Sequence, residues 1–212
     1  MEIYYLNRVD STHTYLKNYL KENSYKNPIC FYTYNQTAGI GSRENSWDGK
    51  EGNLFFSFAI DLEKLPKDLP LQSASIYFSY ILKIELEKLG SNLWLKWPND
   101  FYINNHKFGG TITTLHSNIF LCGIGINLSK VNDKYLGYLD IDIEPQKLLE
   151  NYFNHIKKYP SWKQIFSLFE VEFHRTKNFT ATINNRKTSL HSAVLCDDGS
   201  ILINNKKVYS LR

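Results

Sequence analysis

The stretch NLWLKWPNDFYINNHKFGGTITTLHSNIFLCGIGINL, Asn92 to Leu128, holds four strand-like runs in a row and no helix between them. NLWLKW is an apolar run closed by Pro98, and FYINNHKFGGTITTL has the pattern of a hairpin with Asn104–Asn105 at its turn. IFLCGIGINL follows as a buried strand. A doubly wound parallel sheet would need a helix between successive strands. The fold class predicted is therefore α+β, a mixed or antiparallel sheet packed with helices.

Reading outward, EIYYLN is a first strand, and DSTHTYLKNYLKEN is a helix with Asp10 or Ser11 as N-cap and Leu16, Tyr19 and Leu20 on one face. PICFYTYN and GNLFFSFAID are strands; LQSASIYFSYILKIELEKLG keeps helical spacing and stops at Gly90. Residues 145–175 return to a helical pattern broken at Pro160. From Phe179 on, short strands alternate with turn signals. The organisation predicted is a main domain over residues 1–175 and a small all-β, barrel-like appendage over 176–212.

With 212 residues the chain can bury a core large enough to stand without disulfides. Lys and Arg exceed Asp and Glu by 25 − 21 = 4, a mild excess that gathers into no stripe or module, so no nucleic-acid partner is expected. Three unevenly spaced cysteines, Cys30, Cys122 and Cys196, fit reduced thiols, and no zinc-ligand spacing occurs. The N-terminus lacks a signal-peptide pattern, and no apolar run nears the ~20 residues that span a bilayer. A cytoplasmic protein is the expectation.

QTAGIGSRENSWDGKEGN, Gln36 to Asn53, is unusually long and polar for a connection between two strands. It is neither a phosphate-binding P-loop nor a dinucleotide fingerprint. Taken alone it reads as a hairpin loop, or as a cradle in which glycines admit an anion to backbone N–H groups and Arg43 adds a guanidinium.

Beside KWPND (Lys96 to Asp100), KFGG (Lys107 to Gly110) and GIGIN (Gly123 to Asn127), the loop takes on a sharper meaning. With Ser11-Thr12-His13 and Gln36 to Gly41 these segments match five motifs of the biotin protein ligases in family order, and the sequence strongly resembles that family. The resemblance implies a class II synthetase-like biotin/lipoate ligase fold with an SH3-like tail. It implies that biotin and ATP form biotinyl-5′-AMP and pyrophosphate, and that a lysine of a biotin carboxyl carrier protein then takes the biotin. Lys107, Arg43 and Lys96 would be catalytic. Ser11, Thr12, His13, Gln36, Gly39, Ile40, Gly41, Ser42, Lys107 and Gly110 would hold biotin. Arg43, Asn45, Trp47, Lys96, Asn99 and Asn127 would hold the nucleotide. Lys107 alone would read as a solvated hairpin lysine, and Trp47 reads equally as a core aromatic. Mg²⁺ is expected with the phosphates, where Asp100 is either its partner or a turn cap.

Two departures stand out. The family's arginine-rich G-R-G-R-R-G-R loop is here Gly39-Ile40-Gly41-Ser42-Arg43-Glu44-Asn45, so the adenylate is expected to be held less tightly. The S-T-N motif ends in His13. Members that repress transcription carry an N-terminal DNA-binding module, for which residues before the first strand leave no room. A free strand edge could serve a homodimer or carrier docking. The rival readings are a lipoate–protein ligase and a non-catalytic biotin-binding module.

Overall fold

A computed structural model describes residues 1–25, 28–41, 46–47, 51–129, 136–184 and 186–209. The chain begins with β1 (Glu2–Tyr5), α1 (Thr12–Glu22) and β2 (Ile29–Thr33). Two-residue strands β3 (Gly39–Ile40) and β4 (Ser46–Trp47) lie inside the glycine-rich stretch, before β5 (Leu54–Asp61). Then come α2 (Ala74–Lys88), β6 (Trp94–Lys96), β7 (Asp100–Ile103), β8 (His106–His116) and β9 (Ile119–Ile126). Helices α3 (Pro145–Ile156) and α4 (Trp162–Glu172) flank Pro160, the expected break. The last described strands are β10 (Thr180–Ile183), β11 (Arg186–Ser189), β12 (Val194–Leu195), β13 (Ile201–Ile203) and β14 (Lys206–Val208).

Seven strands form the main sheet in the order β1-β2-β5-β9-β8-β7-β6. Only β1 and β2 run parallel, joined by the α1 crossover; all other neighbours are antiparallel. The β7–β8 turn falls at Asn104–Asn105 as the sequence predicts, and Asn104 takes the left-handed conformation (φ 50°) that asparagine tolerates. Ser11, one of the two candidate caps, is the N-cap of α1 and accepts from Thr14 N–H. Gly90 ends α2 with φ +100°.

Strand periodicity divides the sheet into two unlike faces. Phe56, Phe58 and Ile60 of β5 and Phe120, Cys122, Ile124 and Ile126 of β9 join α2, α3 and α4 in one core. On the other face, Ile29, Phe31, Ala59 and Leu121 pack under Leu16 of α1. Beyond α1 that second face carries Ser57, Gly110, Gly123 and Gly125, and small side chains there leave a hollow.

The small all-β tail forms a hairpin, β10–β11, and a separate three-stranded sheet, β12–β13–β14. In the connection between them Ala193 N–H donates to Leu190 O. The three-stranded sheet is fastened to the rest of the fold: Trp97 Nε1, after β6, donates to Gly199 O (2.9 Å) and Trp162 Nε1, in α4, to Asp197 O (2.8 Å). Leu190, Ala193, Ile201 and Ile203 share the main core. Thr176, at the start of the appendage read from the sequence, is buried, and its Oγ1 accepts from Trp97 N–H. All three cysteines are free, and Cys30 and Cys122 are buried. Among the described residues no helix is long and apolar enough to cross a membrane.

Candidate active site

The hollow on the second face is lined from four directions. The start of α1 supplies Ser11, Thr12 and His13; the glycine-rich stretch supplies Gln36, Ile40, Gly41, Ser46 and Trp47. The floor is Phe55 and Ser57 of β5 with Gly123, Ile124 and Gly125 of β9, and the far wall is Asn99, Asp100, Lys107 and Gly110–Ile112. The G-I-G-I alternation of β9 explains the floor. Its isoleucines go into the core while Gly123 and Gly125 face the cavity. A methyl group on Gly123 would stand 3.1–3.2 Å from Ile112, Ser57 and His13.

At one end, polar side chains form a buried hydrogen-bond chain. Thr12 N–H donates to Gln36 Oε1 (2.9 Å), and Thr12 Oγ1 lies 2.9 Å from Ser57 Oγ. The backbone locks the same junction: Thr37 N–H donates to Val9 O and Ala38 N–H to Asp10 O. His13 Nε2 lies 3.0 Å from Thr114 Oγ1, while its buried Nδ1 has no partner among the described residues. Burial, followed by the nearby Lys17 charge, lowers the His13 pKa to about 4. His13 thus stays neutral at pH 7 and can offer a donor and an acceptor.

That depression has a measurable sign. Between pH 6.5 and 4 the unfolded chain binds a proton at His13 that the folded chain refuses, so folding stability is full above pH 6.5 and falls as pH drops. About 2 kcal/mol should be lost through this group between pH 7.5 and 5. Urea unfolding at both pH values should show the loss in wild type and a smaller one in His13→Asn.

The opposite end is ionic. Lys107 Nζ lies 2.6 Å from Asp100 Oδ1, and Lys96 Nζ lies 3.2 Å from Asp100 Oδ2. Burial alone would raise the Asp100 pKa, but the Lys107 and then the Lys96 charge outweigh it and hold the carboxyl below its ordinary range. Lys107 Nζ also sits 5.4 Å from the centre of the Trp47 ring. That ring rests on the glycine floor, its Cζ3 and Cε2 3.5 and 3.3 Å from where methyl groups on Gly110 and Gly125 would be. Trp47 is therefore a wall of the cavity.

Of the candidates read from the sequence, Ser11, Thr12, His13, Gln36, Ile40, Gly41, Trp47, Asn99, Lys107 and Gly110 line one cavity. Gly39 stands just behind them, where a methyl group would come within 2.5 Å of Gln36 Nε2 and 2.7 Å of Trp47 O. Ser42, Arg43 and Asn45 lie outside the described residues. Lys96 and Asn127 are buried and are not part of the lining. Lys96 reaches the site through Asp100, and Asn127 accepts at Oδ1 from Asn53 Nδ2 (3.1 Å) and donates from Nδ2 to Gly137 O. Asn99 lines the cavity, but its Nδ2 donates to Thr111 O and its own carbonyl accepts from Thr111 N–H, which sets the KWPND turn against β8. Ser57 and Thr111 were missed. A lone serine inside the apolar run LFFSFAID was the available signal.

A model of the biotin/lipoate A/B protein ligase family matches residues 5–130. The chain belongs to that family. Among solved members, the biotin acetyl coenzyme A carboxylase synthetase of Helicobacter pylori, with bound biotinylated ATP, superposes with a TM-score of 0.93 at 36% identity, covering 99% of this chain and 100% of that one. The biotin protein ligase of Aquifex aeolicus in complex with biotin and ATP gives a TM-score of 0.79 at 22% identity, over 100% of this chain and 96% of that one, a likeness of fold. Biotin–protein ligase 2 of Arabidopsis thaliana is 31% identical over 106 residues, 47% of this chain and 32% of that protein. The Escherichia coli bifunctional ligase/repressor BirA is 32% identical over 132 residues, 57% of this chain and 39% of that protein. The chain thus spans about a third of the length of these curated relatives. As a member of the ligase family it shares the mixed sheet, and its cavity lies within the segment the family model covers.

Proposed function

We propose that this family member is an ATP-dependent biotin protein ligase, forming biotinyl-5′-AMP and transferring biotin to a lysine of a biotin carboxyl carrier domain. One observation carries the reading. A single cavity joins a neutral hydrogen-bonding end, Ser11, Thr12, His13, Gln36 and Ser57, to a cationic end at Lys107. The ureido ring of biotin needs both donors and acceptors, and the first end offers both. At the second, a carboxylate must meet the α-phosphate, and an ammonium group between two anions offsets their repulsion. The relatives named above, one holding biotinylated ATP, support the same reading.

Lys107 and the paired Lys96, with Arg43 from outside the described residues, take the catalytic roles. Lys107 contacts the reacting oxygens, and Lys96 holds Asp100 so that the pair keeps a net positive charge. Trp47 and Asn99 form the nucleotide side; buried Asn127 and, outside the described residues, Asn45 are the further nucleotide candidates. Gly39, Gly41 and Gly110, with Ser42, give the ligand backbone room. Mg²⁺ is assigned to ATP's phosphates and water. No group of three or more His, Cys, Asp or Glu side chains that could hold a metal occurs among the described residues, and both Asp100 oxygens are already paired to lysines.

Transfer requires a neutral carrier lysine. Deprotonating a lysine of pKa near 10.4 at pH 7 costs roughly 4–5 kcal/mol, and holding amine and acyl donor together contributes about 7–11 kcal/mol, which exceeds it. Every cavity-lining residue lies within the proposed catalytic unit, residues 1–175. Incubation with biotin, ATP, Mg²⁺ and a carrier domain should add one biotinyl group to the carrier by intact mass. Equal charging with lipoate in place of biotin would move the assignment to lipoate ligation.

A further inference from the structure

Asn53 belongs to none of the motifs behind the family resemblance and does not line the cavity. It stands at the C-terminal foot of the glycine-rich stretch, 1% exposed, next to Gly52, whose N–H donates to Tyr34 O. Its Nδ2 donates to Asn127 Oδ1 (3.1 Å), and its Oδ1 accepts from Leu128 N–H (3.0 Å). Asn127 continues the chain, its Nδ2 donating to Gly137 O (3.2 Å). Gly137 N–H in turn donates to the backbone carbonyl of Lys107 (2.8 Å), and Leu136 bridges Lys107 in parallel register. Asn127 N–H also holds Phe108 O, one residue beyond Lys107.

We propose that Asn53 is a positioning residue: through Asn127 and Gly137 it fixes the backbone from which Lys107 reaches the cavity, and so couples the foot of the glycine-rich stretch to the catalytic ammonium. The proposal rests on the role given to Lys107 above. Its physical basis is that both side-chain amides are buried, and each donor and acceptor named has one partner it cannot exchange for bulk water. Movement at the foot therefore cannot leave the Lys107 backbone where it was. The opposite foot is tied to the hydrogen-bonding end of the cavity, where Gln36 meets Thr12. Both ends of the stretch are thus anchored to the groups that must converge on one ligand.

Asn53→Asp separates this role from bulk. A carboxylate still accepts from Leu128 N–H but cannot donate to Asn127 Oδ1. The Asn127 amide can turn over to donate to the new carboxylate, and its oxygen then meets the Gly137 carbonyl. The near link survives while the Asn127–Gly137 side-chain bond, the step that leads on to Lys107, breaks. In folded N53D, kcat for pyrophosphate release should fall roughly tenfold or more with the KM for biotin within about twofold of wild type. A kcat within about twofold of wild type overturns the proposal, as does a rise in both KM values at unchanged kcat. Amide exchange in wild type needs no variant to fold: on adding biotin and ATP, exchange at Leu128 and Gly137 should slow by similar factors. Slowing at Leu128 alone overturns the coupling. If wild type releases no pyrophosphate, the ligase reading fails instead, and the exchange measurement still decides whether the two segments move together.

Discussion

Lys107→Ala should abolish biotinyl-adenylate formation, lowering pyrophosphate release by on the order of 10³-fold while the fold persists. The Lys107 side chain is 35% exposed, so thermal unfolding should shift little. Asp100 keeps Lys96 as counter-ion in the variant, so no buried charge is left unpaired. Biotin should still bind, because the groups proposed to hold its head lie at the other end of the cavity. A Lys107→Ala protein that retains full activity would remove the lysine from the mechanism. One that unfolds would show the ion pair to be structural.

Gly110→Ala is the second change with a large expected effect, and it works by volume alone. A methyl group there would stand 3.5 Å from Asp100 Oδ1, 3.5 Å from Trp47 Cζ3 and 3.6 Å from Lys107 Nζ, ordinary contact distances that the fold accommodates. The same methyl occupies the space beside Lys107 where, in the proposed reaction, carboxylate and phosphate meet. A displacement of about 1 Å at a reacting centre costs around 10²-fold in rate. The kcat/KM for adenylation should fall by about that factor with the melting temperature nearly unchanged. Gly109 makes the contrast, since a methyl group there meets Ile126 at 2.7 Å and the Gly125 carbonyl at 2.9 Å. Gly109→Ala should lose stability before it loses chemistry. Equal activity in Gly110→Ala and wild type would mean that the reacting groups meet elsewhere.

Much of this molecule was legible in its sequence because the signals are local. Alternation and turn residues set the β7–β8 hairpin, Ser11 capped α1, and Pro160 divided α3 from α4. The family motifs named most of the cavity's lining in advance. What they could not show is how Gly39–Ile40 pairs with Ser46–Trp47, a two-residue ribbon too brief to leave a periodic pattern. Nor could they place Trp47, whose two readings differ only in what lies beneath the ring. The pairing of Lys107 and Lys96 through Asp100 joins three strands, β6, β7 and β8, beside a bulge between Phe101 and Tyr102, and spacing along a chain does not measure such a distance.

Sequence by itself determined the longer strands and the helices, since propensity, capping and period are properties of neighbours along the chain. Only the tertiary structure decided that Ser57, Gly110, Gly123 and Gly125 share one face of the sheet and leave a hollow at the end of α1. It also decided that Asn53 is bound to Asn127 across 74 positions. Such pairings depend on strand order and register, which are set by burying one face of the whole sheet at once and are written in no single segment.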